Sequence, residues 1–181
     1  MRLPAATVHP ALTVHRELLE RWRGAMDLVG PGPLEPHFVD ALAVATPLGA
    51  CGAWADLGSG AGFPGLAIAA LNPEATVTLV ERRQKRAVFL RELAHACGLR
   101  NLRVHEGDTD QLAPGAWSGV SSRAYKPPLD YLRDATRLLA PGGQALLLTV
   151  DDPPAAPPLH LHRQWRYQVD GRERVAGLYR A

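Results

Sequence analysis

The run Asp56-Leu57-Gly58-Ser59-Gly60-Ala61-Gly62-Phe63-Pro64-Gly65 lies between an apolar stretch, Ala53 to Leu57, and a helical one from Pro64 to Leu71. Glycine adopts positive φ without strain and carries no Cβ, so such a loop can turn tightly from strand into helix and offer bare backbone N–H groups to a ligand. It also loses more entropy on ordering than any other residue, which argues against a glycine-rich turn kept for no ligand. A strand, a glycine loop and a helix in that order belong in a sheet covered by helices.

The rest of the chain fits that frame. Leu12, His15, Leu18, Leu19, Trp22, Met26 and Val29 recur at helical spacing up to a break at Gly30-Pro31. Pro36 opens a second short helix carrying Phe38, Val39 and Leu42. From Ala53 strands and helices alternate: Ala75 to Glu81 reads as a strand, Arg82 to Cys97 as a helix stopped by Gly98, and Leu102 to His105 as a strand. A weaker strand at Ser118 to Ser122 precedes a helix from Leu129 to Leu139, a turn at Pro141-Gly142-Gly143 and an apolar strand from Gln144 to Val150. Asp152 to Pro158 reads as a stiff, extended linker. Arg163 to Val169 and Arg174 to Tyr179 pair as a hairpin around Asp170-Gly171. The expected fold is α/β: a mostly parallel, doubly wound, Rossmann-like sheet over 53–181 with a C-terminal antiparallel hairpin. An N-terminal helical cap over 1–47 completes a single domain.

The ligand of the loop is less obvious. Gly60 to Gly65 literally matches the GxGxxG dinucleotide fingerprint, but the acid at Asp56 and the glycines at 58, 60 and 62 set a different register. An acid there can organise the loop and a ligand ammonium, while backbone N–H groups meet a carboxylate. An amino acid moiety has both charges. Glu81 closes the second strand, where a carboxylate meets ribose hydroxyls, and the acidic turn Asp108-Thr109-Asp110 after the third strand is placed for an adenine amino group. Together these describe S-adenosylmethionine better than a nicotinamide dinucleotide, and a class I methyltransferase better than an oxidoreductase.

The same residues resemble a family, the small-subunit rRNA guanine N7 methyltransferases (RsmG, also called GidB), nearly end to end. The most specific part is the block from Asp56 to Leu99, in which Lys85-Arg86 and Phe89-Leu90 fit the family's pattern. LLERWRGAMDLV resembles its N-terminal helix, EPHFVDAL its arginine-histidine segment, SSRAY its fourth strand and DGRERVAGLY its hairpin. The resemblance implies methyl transfer to guanine N7 of guanosine 527 in the 530 loop of 16S rRNA, free or in a small-subunit assembly particle. It also implies cofactor contacts at Gly58, Phe63, Thr109, Asp110 and Arg123, in addition to those expected at Asp56, Gly60, Glu81 and Asp108. Arg123, Tyr125 and Lys126 are the expected substrate contacts.

Some positions depart from the family. Val29 replaces a polar residue, Pro36 an arginine and Ala41 a serine, and Thr149-Val150-Asp151 stands where a lysine-glycine is usual. These departures motivate an alternative: a diverged paralogue that binds S-adenosylmethionine and serves as an RNA-binding or regulatory module.

Guanine N7 carries a lone pair and no proton, so transfer onto it demands alignment rather than an acid or base, and no catalytic residue is expected. Other acceptors fit less well. Pyrimidine C5 transfer wants a cysteine, but neither Cys51 nor Cys97 sits in a loop after the fourth or fifth strand, and both read as buried thiols. Lys126-Pro127-Pro128-Leu129 and Asp152-Pro153-Pro154-Ala155 only partly imitate an exocyclic-amine motif.

Composition narrows the class. The 181 residues are 46% hydrophobic and 21% charged with a formal net charge of +2, enough for a buried core. Lys85 and Lys126 are the only lysines among 20 basic residues, and arginine's planar fork suits phosphate. Arg82, Arg83, Lys85, Arg86 and Arg91 read mainly as a solvated helix face. No apolar run approaches the roughly 20 residues of a membrane span, and Pro4, Thr7, His9 and Pro10 interrupt the N-terminus, so the chain is expected to be cytoplasmic. His37 reads as structural, and His160 with His162 lack a third ligand, so no metal is expected. A monomer is expected.

Overall fold

The computed structural model describes residues 9–181; Pro4 and Thr7 lie outside the described residues. Helices α1 (Pro10–Trp22) and α2 (Glu35–Ala45) precede β1 (Gly52–Leu57), α3 (Gly65–Leu71), β2 (Ala75–Glu81), α4 (Gln84–Cys97) and β3 (Leu102–Glu106). Then follow β4 (Trp117–Arg123), α5 (Pro128–Leu138), β5 (Leu139–Thr149), β6 (His160–Val169) and β7 (Arg172–Arg180). The seven strands form one sheet in the order β3-β2-β1-β4-β5-β7-β6. The first five run parallel, and β7 lies antiparallel between β5 and β6.

Strand periodicity divides the interior into two cores. Trp54, Val77, Leu79, Leu146, Leu148, Ala176 and Leu178 face α1 to α4, while their neighbours Ala55, Val80, Ala145, Leu147 and Tyr179 face α5. Successive side chains point to opposite faces, so near-continuous apolar strands are what a sheet covered on both sides requires. Tyr131, fully buried on α5, donates to the carbonyls of Val120 at 3.1 Å and Leu146 at 2.9 Å, tying the helix to β4 and β5.

Gly119 on β4 makes room for Trp54: a Cβ there would lie 2.2 Å from the indole Cε2. Trp54 cannot retreat, since it is 1% exposed and its indole N–H donates to the Cys51 carbonyl at 3.0 Å. Overpacking of this kind costs about 3 kcal/mol, so Gly119→Val should lower the midpoint of thermal unfolding by roughly 10 °C. Calorimetry showing an unchanged midpoint would contradict the packing.

Several expected boundaries shift. The first helix stops at Trp22 rather than near Val29, because Gly24 follows and the amides of Ala25 and Met26 both turn back onto the Trp22 carbonyl. The turn at Pro141-Gly142-Gly143 lies inside β5: Trp117 pairs with Leu139 and Gly119 with Gln144, so residues 140–143 bulge out opposite Ser118, with Gly142 at φ +77°. Cys51 is exposed in the segment entering β1, and Cys97 is half-buried on α4 with its thiol directed at the Ala11 carbonyl 3.3 Å away. Neither is a core thiol. At the hairpin, Asp170 and Gly171 take φ of +50° and +70°, the left-handed pair that suits the twist of two-residue turns. No helix among the described residues is long and apolar enough to cross a membrane.

Candidate functional site

The carboxyl ends of β1, β2, β3 and β4 meet at the glycine loop. Gly58, Gly60 and Gly62 adopt φ of +67°, +54° and +93°, which side-chain-bearing residues reach only with strain. The loop is fastened from below by serine. Ser59 Oγ donates to the Asp56 carbonyl at 2.8 Å and accepts from the Val80 amide at 3.1 Å, and the Ser59 amide donates to the Val80 carbonyl.

Asp56 points inward. It is fully buried, one carboxylate oxygen accepting from Ser121 Oγ at 2.8 Å and the other from the Gly65 amide at 3.3 Å. Burial raises its pKa to about 6 against the opposing hydrogen bonds of Ser121, Ser59 and Gly65. It therefore braces the loop and the start of α3; no oxygen of Asp56 faces a ligand ammonium. Glycine at 65 is obligatory for this arrangement, because a Cβ would stand 2.8 Å from the carboxylate and 2.4 Å from Leu79.

Above the loop a cleft of about 400 Å³ opens, lined by Gly58, Glu81, Arg82, Arg83, Arg86, Asp108, Thr109, Asp110, Tyr125 and Lys126. Glu81 accepts the Gly60 amide at 3.1 Å on one oxygen and the Arg83 amide at 2.8 Å on the other, so backbone fixes its orientation while lone pairs remain for a ligand. Thr109 is buried in a short 3-10 turn, Thr109–Gln111, with its hydroxyl 3.2 Å from Asp108 Oδ1. Arg137 on α5 clamps that turn through the carbonyls of Thr109 at 2.7 Å and Leu112 at 3.2 Å. Burial works against ionisation of Asp108, yet hydrogen bonds from the Thr109 hydroxyl and the backbone of Thr109 and Asp110 hold its carboxyl below the usual range. Lys126 is pushed above its ordinary pKa by the Asp134 carboxylate 2.8 Å away.

A second cleft of about 570 Å³ adjoins the first, sharing Ala124 and Lys126, and is lined among others by Pro36, His37, Asp40, Arg123, Asp151, Tyr167 and Arg174. Arg123 stands on its wall. Its Nη1 donates to Asp40 Oδ2 at 3.2 Å and approaches His37 Nδ1 at 3.4 Å, and the guanidinium lies 4.8 Å from the centre of the Phe63 ring. Tyr167 from the hairpin donates to the other Asp40 oxygen at 2.7 Å. Burial first, and the nearby Arg123 charge second, keep His37 below its ordinary pKa.

Phe63 does not reach the first cleft. It is buried, with its ring stacked near His37 and His15 and edge-on to Phe38. His15, on α1, bonds the Ala61 carbonyl through Nε2 at 2.7 Å, and burial lowers its pKa to about 4. The cap thus seats directly on the glycine loop.

The structure gathers Gly58, Glu81, Asp108, Thr109, Asp110, Tyr125 and Lys126 around one cleft and places Arg123 in the next. Asp56 and Phe63 support the loop from behind, and Gly60 gives its amide to Glu81 on the cleft side. Sequence reading passed over Asp40, Tyr167, Ser59, Ser121 and His15 as site residues. Only the Asp56-to-Gly62 spacing hinted at Ser59, and nothing local hinted at Tyr167. Of the basic run, Arg82, Arg83 and Arg86 border the first cleft rather than only facing solvent, and Arg91 pairs with Glu106. His160 and His162 lie exposed on β6, and among the described residues no three His, Cys, Asp or Glu side chains form a metal-holding group.

Solved structures share this fold. An O-methyltransferase from Bacillus cereus, solved in complex with SAH, matches with a TM-score of 0.65 at 16% identity, covering 93% of this chain and 90% of that one. The Thermus thermophilus protein TrmN matches with a TM-score of 0.59 at 22% identity, covering 84% of this chain and 54% of that one. Among curated sequences, the ribosomal RNA small subunit methyltransferase G of Halorhodospira halophila is 38% identical over 135 residues, 72% of this chain and 64% of that protein. The one from Leptothrix cholodnii is 34% identical over 142 residues, 74% of this chain and 65% of that protein. The chain thus spans slightly under two thirds of the length of these relatives. Residues 9–153 match the profile of the family described as GidB, rRNA small subunit methyltransferase G, and the chain belongs to that family.

Proposed function

We propose that the protein transfers a methyl group from S-adenosylmethionine to N7 of guanosine 527 in the 530 loop of 16S rRNA, presented as naked RNA or in a small-subunit assembly particle. The observation that carries this reading is the pair of adjoining clefts at the carboxyl ends of the parallel strands, in a chain of this family. The N-terminal segment at 1–47, helical in its described part from Pro10 onward, and the core at 53–181 act as one methyltransferase unit.

The first cleft suits the donor. Gly58 presents backbone without a Cβ, Glu81 keeps free lone pairs toward a ribose diol, and the Asp108–Asp110 turn offers acceptors for an adenine amino group. Asp56 and Phe63 enter as supports for that loop, and Gly60 through its amide to Glu81. When bound, the cofactor supplies an electrophilic sulfonium methyl, which leaves a neutral thioether as the new bond to N7 forms. Arg123, with Tyr125 and Lys126, holds the acceptor nucleotide in line. No residue takes or gives a proton, since N7 has none to lose, and positioning of this kind is worth roughly 7 to 11 kcal/mol in favourable cases.

Calorimetric titration with S-adenosylhomocysteine should show 1:1 binding. Gly58→Asp should weaken it at least about 30-fold, because a side chain there is strained at φ +67° and enters the cleft where bare backbone faces the donor. No binding to the wild type at millimolar ligand would overturn the donor assignment. Labelled methyl should then enter unmodified 16S rRNA, and base mapping that places it elsewhere than guanine N7 would overturn the acceptor. A second reading, a donor-binding module without transferase activity, has one structural observation in its favour: Pro36 lines the second cleft without a polar side chain. Tight donor binding with no transfer to any ribosomal substrate would support it.

A further inference from the structure

Ala124, just beyond β4, has φ +55°. Among the described residues, Asp170 is the other non-glycine with positive φ, and its place in a two-residue hairpin turn accounts for it. No such turn accounts for Ala124. The left-handed step instead folds the next side chain back across the first cleft. The Tyr125 ring covers Gly58, where a Cβ would lie 2.6 Å from its Cδ2 and 3.1 Å from its Cβ and Cγ. On the far side its hydroxyl is 2.8 Å from Thr109 Oγ1. The ring therefore bridges the glycine loop and the turn after β3, the two walls of that cleft. Lys126 Nζ, paired with Asp134 at 2.8 Å, caps the ring 4.9 Å from its centre. The residues on either side, Ala124 and Lys126, line both clefts.

We infer that Tyr125 is a latch on the donor cleft: closed across Gly58 and Thr109, it must swing out on its Ala124 hinge for the donor to bind, and once released it becomes part of the acceptor wall. This rests on the donor reading above. Its energetic basis is that only the unlatched fraction binds, so the apparent dissociation constant is the intrinsic one divided by that fraction; because the flanking Ala124 and Lys126 line both clefts, movement of Tyr125 can report the filling of one to the other. Binding is then ordered, donor before RNA. Tyr125 acts as a positioning residue, with no part in bond making.

The test separates a latch from a contact. If Tyr125 is a latch, Tyr125→Ala binds S-adenosylhomocysteine about 10-fold more tightly than wild type, with the gain in the association rate by stopped flow. Tyr125→Phe, which keeps the ring and loses the Thr109 bond, falls between the two. In wild type, RNA affinity rises when the donor analogue is present; in Tyr125→Ala that dependence disappears. Weaker analogue binding by Tyr125→Ala, with an unchanged circular dichroism spectrum and melting midpoint, would show an ordinary ligand contact and overturn the latch while leaving the donor reading intact. Absence of analogue binding by both wild type and Tyr125→Ala would overturn the donor reading itself, and the latch with it.

Discussion

Between pH 6 and pH 4, Asp56→Asn is expected to lose about 2 kcal/mol of folding stability relative to the wild type, out of about 3 kcal/mol over the whole titration. Asp56 titrates near pH 6 in the fold against 3.8 ordinarily, because burial penalises its charge more than Ser121, Ser59 and Gly65 relieve it. In that interval the native state holds a proton that the unfolded chain has released. The wild type is therefore stabilised by acid through this group, and the benefit is lost as the pH rises through about 6. The difference, 6 minus 3.8 at 1.36 kcal/mol per pH unit, is about 3 kcal/mol. Asparagine cannot take up the proton and forgoes the benefit.

His15 pulls the other way. Its pKa is lowered from 6.5 to about 4 by burial, so the stability it contributes is complete above 6.5 and is lost as the pH falls toward 4. Two buried groups on either side of the glycine loop thus offset each other in the wild type, and Asp56→Asn leaves the histidine unopposed. Urea denaturation of both chains at half-unit pH steps measures the difference directly, with the remaining titrating groups common to both. Parallel curves would mean that Asp56 titrates in the fold as it does in the unfolded chain.

What could be read from the sequence was what local pattern controls. The strand from Ala75 to Glu81 stands with the bounds its alternation gave, and Gly98 ends its helix in the left-handed conformation that makes glycine a stop. Asp170-Gly171 turned the hairpin for the same local reason. The errors came where distant residues decide. Leu139 belongs to β5 because Trp117 pairs with it across the sheet. Asp56 looked like a ligand group from its spacing. Its inward orientation depends on Ser121, 65 residues away, which no local pattern could show. Asp40 and Tyr167 meet only because β7 inserts between β5 and β6 and so places β6, which carries Tyr167, beside α2.

That last contact bears on the acceptor. Arg123→Ala should reduce kcat/KM for methyl transfer to rRNA by about 100- to 1,000-fold, equivalent to about 3 to 4 kcal/mol of lost transition-state stabilisation, while S-adenosylhomocysteine affinity changes by less than about 3-fold. The split follows from geometry: Arg123 lies on the wall of the second cleft and not of the first. Arg123→Lys should recover little, because an ammonium cannot contact Asp40, His37 and the Phe63 face together as the planar guanidinium does. Asp40→Asn and Tyr167→Phe act at one remove. Each loosens the orientation of Arg123 while leaving the guanidinium in place, and small misplacements cost rate more than affinity, so each should lower kcat about 10-fold with KM nearly unchanged. If both work through Arg123, neither should matter in an Arg123→Ala background, and the double variants should be no slower than Arg123→Ala alone. Additive losses in those doubles would separate the hairpin from the arginine. A large loss of S-adenosylhomocysteine binding in Arg123→Ala would instead move the residue to the donor side of the reaction.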